Sequence, residues 1–278
     1  MKVFAPLHRE TFGRLAVEVH RDPRQLGRAA AWACAAQLRT SLAGRGHARV
    51  LVAGDASQDE LLAELANPAG AGEVIDWSRV TVFQLYEHAG PRLAALHTCR
   101  HYLQERLLDR AAIGCFHGLE AGDSDGAVCC DRYAALLEEQ PIDLACLGLG
   151  ADGGLAGNAP AAANFEDEQG VRCVKIDAAS RRRQVHDPEC ATPVAVPHMI
   201  LTVTLPVLRR ARRLSVLASG GRLAPAVRAT LHDAITTACP ATLLRLHPDA
   251  VLYLDAAAAA LAFPGLEPGS RRRRVLRP

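Results

Sequence analysis

The stretch from Asp143 to Pro160, DLACLGLGADGGLAGNAP, passes from an apolar run to a glycine-rich turn within a few residues. Residues 142–147 are mostly apolar and alternate little, the pattern of a short strand covered on both faces. Gly148, Gly150, Gly153, Gly154 and Gly157 follow, with Asp152 and Asn158 among them. They supply backbone freedom and exposed N–H groups beside one carboxylate. Open α/β sheets bind ligands at such a strand end. The plain alternative is a strand end whose glycines serve turn geometry alone.

A strand covered on both faces needs a large core, and 278 residues with 49% hydrophobic content supply one. Aromatic residues make up only 4%, so Ala, Val and Leu fill that core. The expected fold class is a single three-layer α/β/α domain over residues 1–278, with a mainly parallel, Rossmann-like sheet and a flexible basic tail at residues 265–278. Thirty-two basic and 30 acidic residues leave a net charge of +2, so no global field favours nucleic acid or a membrane surface. Nine cysteines without a C-x-x-C pair, and an N-terminus without the apolar core of a signal peptide, point to reduced thiols and a cytoplasmic location. No uncharged run approaches the ~20 apolar residues that span a bilayer.

Two extended pieces open the chain within residues 3–20. Asp22 followed by Pro23 caps a helix that runs to about Leu42 and ends at Gly44 and Gly46. Residues 49–53 form an interior strand leading to Gly54-Asp55-Ala56-Ser57, then a helix from about Asp59. That turn either holds a phosphate through its N–H groups or is an ordinary βα turn capped by Asp55 and Ser57. A strand at residues 80–85 brings Tyr86, Glu87 and His88 to its carboxyl end, where a Glu-His pair converging on a loop offers acid/base chemistry. His97 and His101 share a helix face, but Cys99 lies off it and no third ligand follows, so no metal is expected. Gly122, Ser124 and Gly126 fit G-x-S-x-G without the strand that a nucleophile elbow requires, and helix capping is the better reading. A strand is expected at residues 171–176.

Several of these segments resemble the family of glucosamine-6-phosphate deaminases and 6-phosphogluconolactonases. Residues 148–160, GLGADGGLAGNAP, are similar to the family pattern G-x-G-x-D-G-H-x-A-x-N-E-P, with Gly154 at the histidine and Ala159 at the deaminase glutamate. Residues 83–88, FQLYEH, align with F-N-M-D-E-Y, so that Tyr86 replaces the aspartate base, Glu87 is kept and His88 is new. Gly54 and Ser57 remain of a G-G-S/T-P phosphate loop, and Asp55 puts a carboxylate where the dianion would sit. Arg181 matches the arginine of T-R-x-x-N, while Leu223 stands at the lysine of G-x-x-K-A, with Arg222 beside it. Pro240, Ala241, Leu244, His247 and Pro248 echo P-A-S-x-L-Q-x-H-P, which gives His247 a structural role. The likeness covers residues 20–262.

The resemblance implies a protein that acts on or binds a small-molecule sugar phosphate, without cofactor, nucleic acid or membrane, and compatible with a homo-oligomer. The candidate catalytic residues are Asp152, Glu87 and His88, with His186 in a neighbouring loop as a substitute for the lost histidine. The candidate binding residues are Gly54, Ser57, Tyr86, Gly150, Gly153, Asn158, Arg181 and Arg222. Standard deaminase or lactonase turnover is expected to be weak, because a lost general base costs about 10²–10⁴-fold. A diverged isomerase or deaminase ranks first, before a lactonase-like hydrolase and a non-catalytic sensor or structural homologue. Small side chains at Gly154 and Gly157 are expected to widen the pocket.

Overall fold

The computed structural model describes residues 5–71, 75–89, 98–120, 126–176 and 198–266. Arg181, His186, His97, Ser124 and the Arg271–Arg274 run of the tail lie outside the described residues.

Eleven strands are described: β1 (His8–Phe12), β2 (Leu15–His20), β3 (Ala48–Val52), β4 (Val80–Gln84), β5 (Tyr86–Ala89), β6 (Cys115–His117), β7 (Leu144–Gly148), β8 (Val171–Lys175), β9 (Met199–Val203), β10 (Leu214–Ala218) and β11 (Ala250–Asp255). Eight form one sheet in the order β1-β2-β11-β10-β7-β3-β4-β6, parallel throughout except for the β1–β2 hairpin at one edge. The helices are α1 (Pro23–Arg45), α2 (Asp59–Leu65), α3 (Cys99–Leu103, continued by a wider turn to Leu108), α4 (Gly126–Glu138), α5 (Leu205–Arg210), α6 (Ala224–His232) and α7 (Ala256–Ala259).

Alternation along the strands explains why the inner ones read as continuous apolar runs. On β3, Val50 and Val52 face a core shared with α1 and α2, while Leu51 faces a second core shared with α4, α5 and α6. On β7, Leu144 and Cys146 join the first core and Ala145 and Leu147 the second. A strand with helices on both sides has no polar face, so periodicity 2 disappears from the sequence. Leu51 and Leu147 are each 0% exposed, and truncating either to Ala would cost about 2–5 kcal/mol.

Local signals set the helix ends. Asp22 accepts a hydrogen bond from the Gln25 N–H at 2.8 Å with Pro23 in the first turn, and Gly46 closes α1 at φ 79°, its N–H bonding to the Leu42 carbonyl. The helix therefore runs three residues past the expected end, to Arg45. The described helices include none long and apolar enough to cross a membrane.

The sequence reading did not foresee the second sheet, a three-stranded antiparallel layer in the order β5-β9-β8. Tyr86, Glu87 and His88 are thus strand residues, paired with Thr202, Leu201 and Ile200, and not a loop. Leu85 joins the two sheets. Its N–H donates to Val52 of β3 at 2.9 Å and its carbonyl accepts from Val203 of β9 at 3.1 Å.

Candidate active site

The turns after four consecutive strands of the large sheet, β10, β7, β3 and β4, open into a cavity of about 930 Å³. It occupies the carboxyl edge of the parallel strands, where their successive turns diverge.

The β3 turn is folded around its own carboxylate. Asp55 accepts from the Ser57 N–H at 2.8 Å through Oδ1, and from the Tyr86 hydroxyl through Oδ2. Gln58, fully buried, donates to the Ser57 hydroxyl at 2.8 Å. A Cβ on Gly54 would fall 2.3 Å from the Cys99 carbonyl, so only glycine lets α3 start directly against the turn.

On β5, Tyr86 and His88 line the cavity while Glu87 is turned inward. Burial, with Asp55 next, pushes the Tyr86 phenol well above its ordinary value, so it stays protonated. Burial also lowers His88, against the opposing pull of Glu87 and Asp55, which keeps the imidazole neutral. His88 Nε2 is buried and has no hydrogen-bond partner among the described residues. Glu87, 4% exposed, accepts from Gln84 Nε2 at 2.8 Å and from the backbone N–H groups of His88, Cys99 and Arg100 at 2.8, 3.1 and 2.9 Å. Two of these donors belong to the first turn of α3, so Glu87 fixes the start of that helix to β5.

The β7 loop is tight. Gly150 lines the cavity, but Asp152 turns back on its own loop, its Oδ1 accepting from the Gly154 N–H at 3.0 Å. Gly153 packs at φ 79° against Cys239. Asn158 is 5% exposed and donates both amide hydrogens internally, to the carbonyls of Leu155 and Val203 at 3.0 and 2.9 Å. The expected widening is overturned. A Cβ at Gly154 would lie 2.9 Å from Asp152 Oδ1, and one at Gly157 would lie 2.8 Å from the Thr202 Cβ. Neighbouring atoms already fill the space a side chain would take: Asp152 and the backbone of Asn158 and Ala159 at Gly154, and the Thr202 and Ile200 side chains at Gly157.

After β10, Asp255 accepts from the Ser219 hydroxyl at 2.8 Å and from the Gly220 N–H at 3.0 Å, so this turn also spends its donors internally. Arg222 is exposed, lines the cavity, and pairs with no described residue. His247 is 1% exposed and bonds the Ala211 carbonyl at 2.9 Å, the structural role expected of it.

The structure therefore gathers Gly54, Ser57, Tyr86, His88, Gly150 and Arg222 around one cavity, and leaves Asp152, Glu87, Gly153 and Asn158 in the framework behind it. It adds Asp55 as the partner of Tyr86, which only the non-local contact discloses. For a metal, one described group has ligand atoms within 4.8 Å of one another: Glu87, His88 and Cys99. There the carboxylate already accepts four N–H bonds, and burial beside Glu87 and Asp55 raises the Cys99 thiol well above its ordinary value. With its carboxylate already engaged and its thiol held protonated, the trio is poorly disposed to bind an ion.

A family model described as glucosamine-6-phosphate isomerases/6-phosphogluconolactonase matches residues 21–253. A glucosamine-6-phosphate deaminase of Halothermothrix orenii is 30% identical over 204 residues, 71% of this chain and 81% of that one. One of Streptomyces avermitilis is 29% identical over 189 residues, 67% of this chain and 71% of that one. Among solved structures, a monomeric glucosamine-6-phosphate deaminase superposes with a TM-score of 0.78 at 23% identity, covering 88% of this chain and 99% of that one. A 6-phosphogluconolactonase from Shewanella baltica gives 0.69 at 22% identity, covering 89% and 98%.

Proposed function

Because this chain belongs to the family of glucosamine-6-phosphate isomerases and 6-phosphogluconolactonases, we propose that it is a diverged sugar-phosphate enzyme of the isomerase or deaminase type, with His88 as its proton-transferring base. The observation that carries this reading is the neutral His88 on the cavity wall, its Nε2 without a partner among the described residues, two residues along β5 from a protonated phenol. Isomerisation of an amino sugar phosphate requires a base that removes a proton next to a carbonyl and an acid that supports the developing oxyanion. Tyr86 stands where relatives carry the base, yet a phenol held protonated cannot accept that proton at neutral pH. Its single proton is already donated to Asp55, so Tyr86 orients that carboxylate and His88 is left for the base role. Glu87 serves as a positioning residue for β5 and α3, and Asp152 as a support of the glycine loop. Arg181, by its place in the family motif, is proposed as an anion ligand.

The test is turnover, followed by NMR, of a panel of phosphorylated amino sugars, ketoses and aldonolactones by wild type and His88→Gln. A substrate turned over by wild type and slowed at least 100-fold in His88→Gln supports the assignment. Equal turnover in both removes His88 from the mechanism. A second reading, a non-catalytic binder, is favoured by the internal hydrogen bonding of Asp152 and Glu87, and saturable binding with no turnover of any panel member would select it.

A further inference from the structure

We infer that Asp55 bars phosphate from the turn after β3, and that the cavity takes a sugar ligand with hydroxyl or ammonium donors directed at Asp55 and an acidic group directed at Arg222. This rests on the reading of the cavity as the ligand site and refines which ligand it admits.

A βα turn binds an anion when its N–H groups point at open space. Here the Ser57 N–H is already taken by the Asp55 carboxylate, which the Tyr86 hydroxyl holds from the other side. A phosphate entering the turn would lose that donor and meet a fixed negative charge. At 4 Å in a partly screened site, two unit charges repel enough to weaken binding well beyond tenfold. The same carboxylate suits hydrogen-bond donors, and an alcohol or ammonium group approaching it would not have to displace an anion.

The opposite sign lies along the sheet edge. Arg222 follows β10 and Asp55 follows β3, with β7 between them. Two strand spacings separate their elements by roughly 10 Å across the β7 loop. The intervening floor is apolar and uncharged, Gly148 and Gly150 lining the cavity together with Leu147 and Leu149. Asp255 occupies the Gly220 N–H, so the acidic end of a ligand is met by the Arg222 side chain and not by the β10 turn. Ser219 is likewise engaged by Asp255. A hexose with a terminal acidic group has the length and the polarity that this arrangement selects.

The experiment is a calorimetric titration of inorganic phosphate and, separately, of glucosamine into wild type, Asp55→Asn, Asp55→Gly and Arg222→Ala. Asn keeps an oxygen for the Ser57 N–H, so it removes charge without undoing the turn, and it carries the test should the Gly variant fold poorly. Phosphate is expected to bind wild type weakly and through Arg222, with Arg222→Ala abolishing it. Both Asp55 variants are expected to bind phosphate at least about tenfold tighter than wild type. Glucosamine is expected to bind wild type and to weaken at least about fivefold in Asp55→Asn. Phosphate binding unchanged or weakened in both Asp55 variants overturns the exclusion role. Phosphate affinity unaffected by Arg222→Ala overturns the acidic end, and glucosamine affinity that is absent or indifferent to Asp55→Asn overturns the donor end. Phosphate is not turned over, so this pattern can hold while the His88 mechanism fails, or fail while it holds.

Discussion

Ser57 sits so close against Gly148 that a Cβ on the glycine would lie 2.3 Å from the serine hydroxyl and 2.7 Å from its Cβ. The end of β7 and the turn between the neighbouring β3 and α2 are thereby in direct contact, and the cavity floor is the surface they share. Gly148→Ala is expected to destabilise the protein by about 1–3 kcal/mol, read as a shift of the urea midpoint at unchanged slope. Ser57→Gly in the same chain removes the colliding atoms, and the double variant should recover most of that loss. Additive losses would show that the turn moves aside freely.

Glu87 predicts a stability effect ahead of a chemical one. Glu87→Ala leaves the N–H groups of Cys99 and Arg100 without their acceptor and should cost roughly 3 kcal/mol. Glu87→Gln keeps one acceptor oxygen and should cost less. If Glu87 positions His88, the Gln variant lowers kcat, and loss of the Glu87 charge, which pulls His88 upward, moves the acid limb of kcat/KM to lower pH. An unmoved acid limb would show that His88 does not set it.

Two buried histidines set the response to acid. Burial lowers both His88 and His247 from 6.5, so the folded protein holds them neutral while the unfolded chain protonates them. Unfolding free energy is therefore fully supported above about pH 6.5, and falls as the pH drops from there towards the lowered folded values. His88→Gln and His247→Gln should each flatten this slope in chemical denaturation between pH 7 and pH 5. The same direction places the acid limb of any His88-dependent rate below pH 6.5, with activity rising as pH increases.

Much of the fold was legible because its signals are local. Residues 49–53 and 142–147 read as interior strands since both faces of β3 and β7 are covered, and Asp22-Pro23 with Gly46 bounded α1 through the caps themselves. The second sheet was not legible, because Tyr86-Glu87-His88 carries no apolar alternation and becomes a strand only through pairing with residues 200–202. The inward turn of Glu87 and the Tyr86–Asp55 bond depend on the same long-range pairing. Cavity-lining residues at strand ends were found from chain position, whereas the packing that closes around Gly154 and Gly157 left no trace in composition.

The closed loop locks glycine in at position 154. A Cβ there would lie 2.9 Å from Asp152 Oδ1, 3.2 Å from the Asn158 carbonyl and 3.3 Å from the Ala159 Cα. Gly154→His alone should lower the melting temperature and restore no deaminase or lactonase activity, since the imidazole would arrive where the main chain already lies. Any side chain at this position would first require the loop to reopen, so its glycine is held by the packing of the loop and not by contact with whatever the cavity binds.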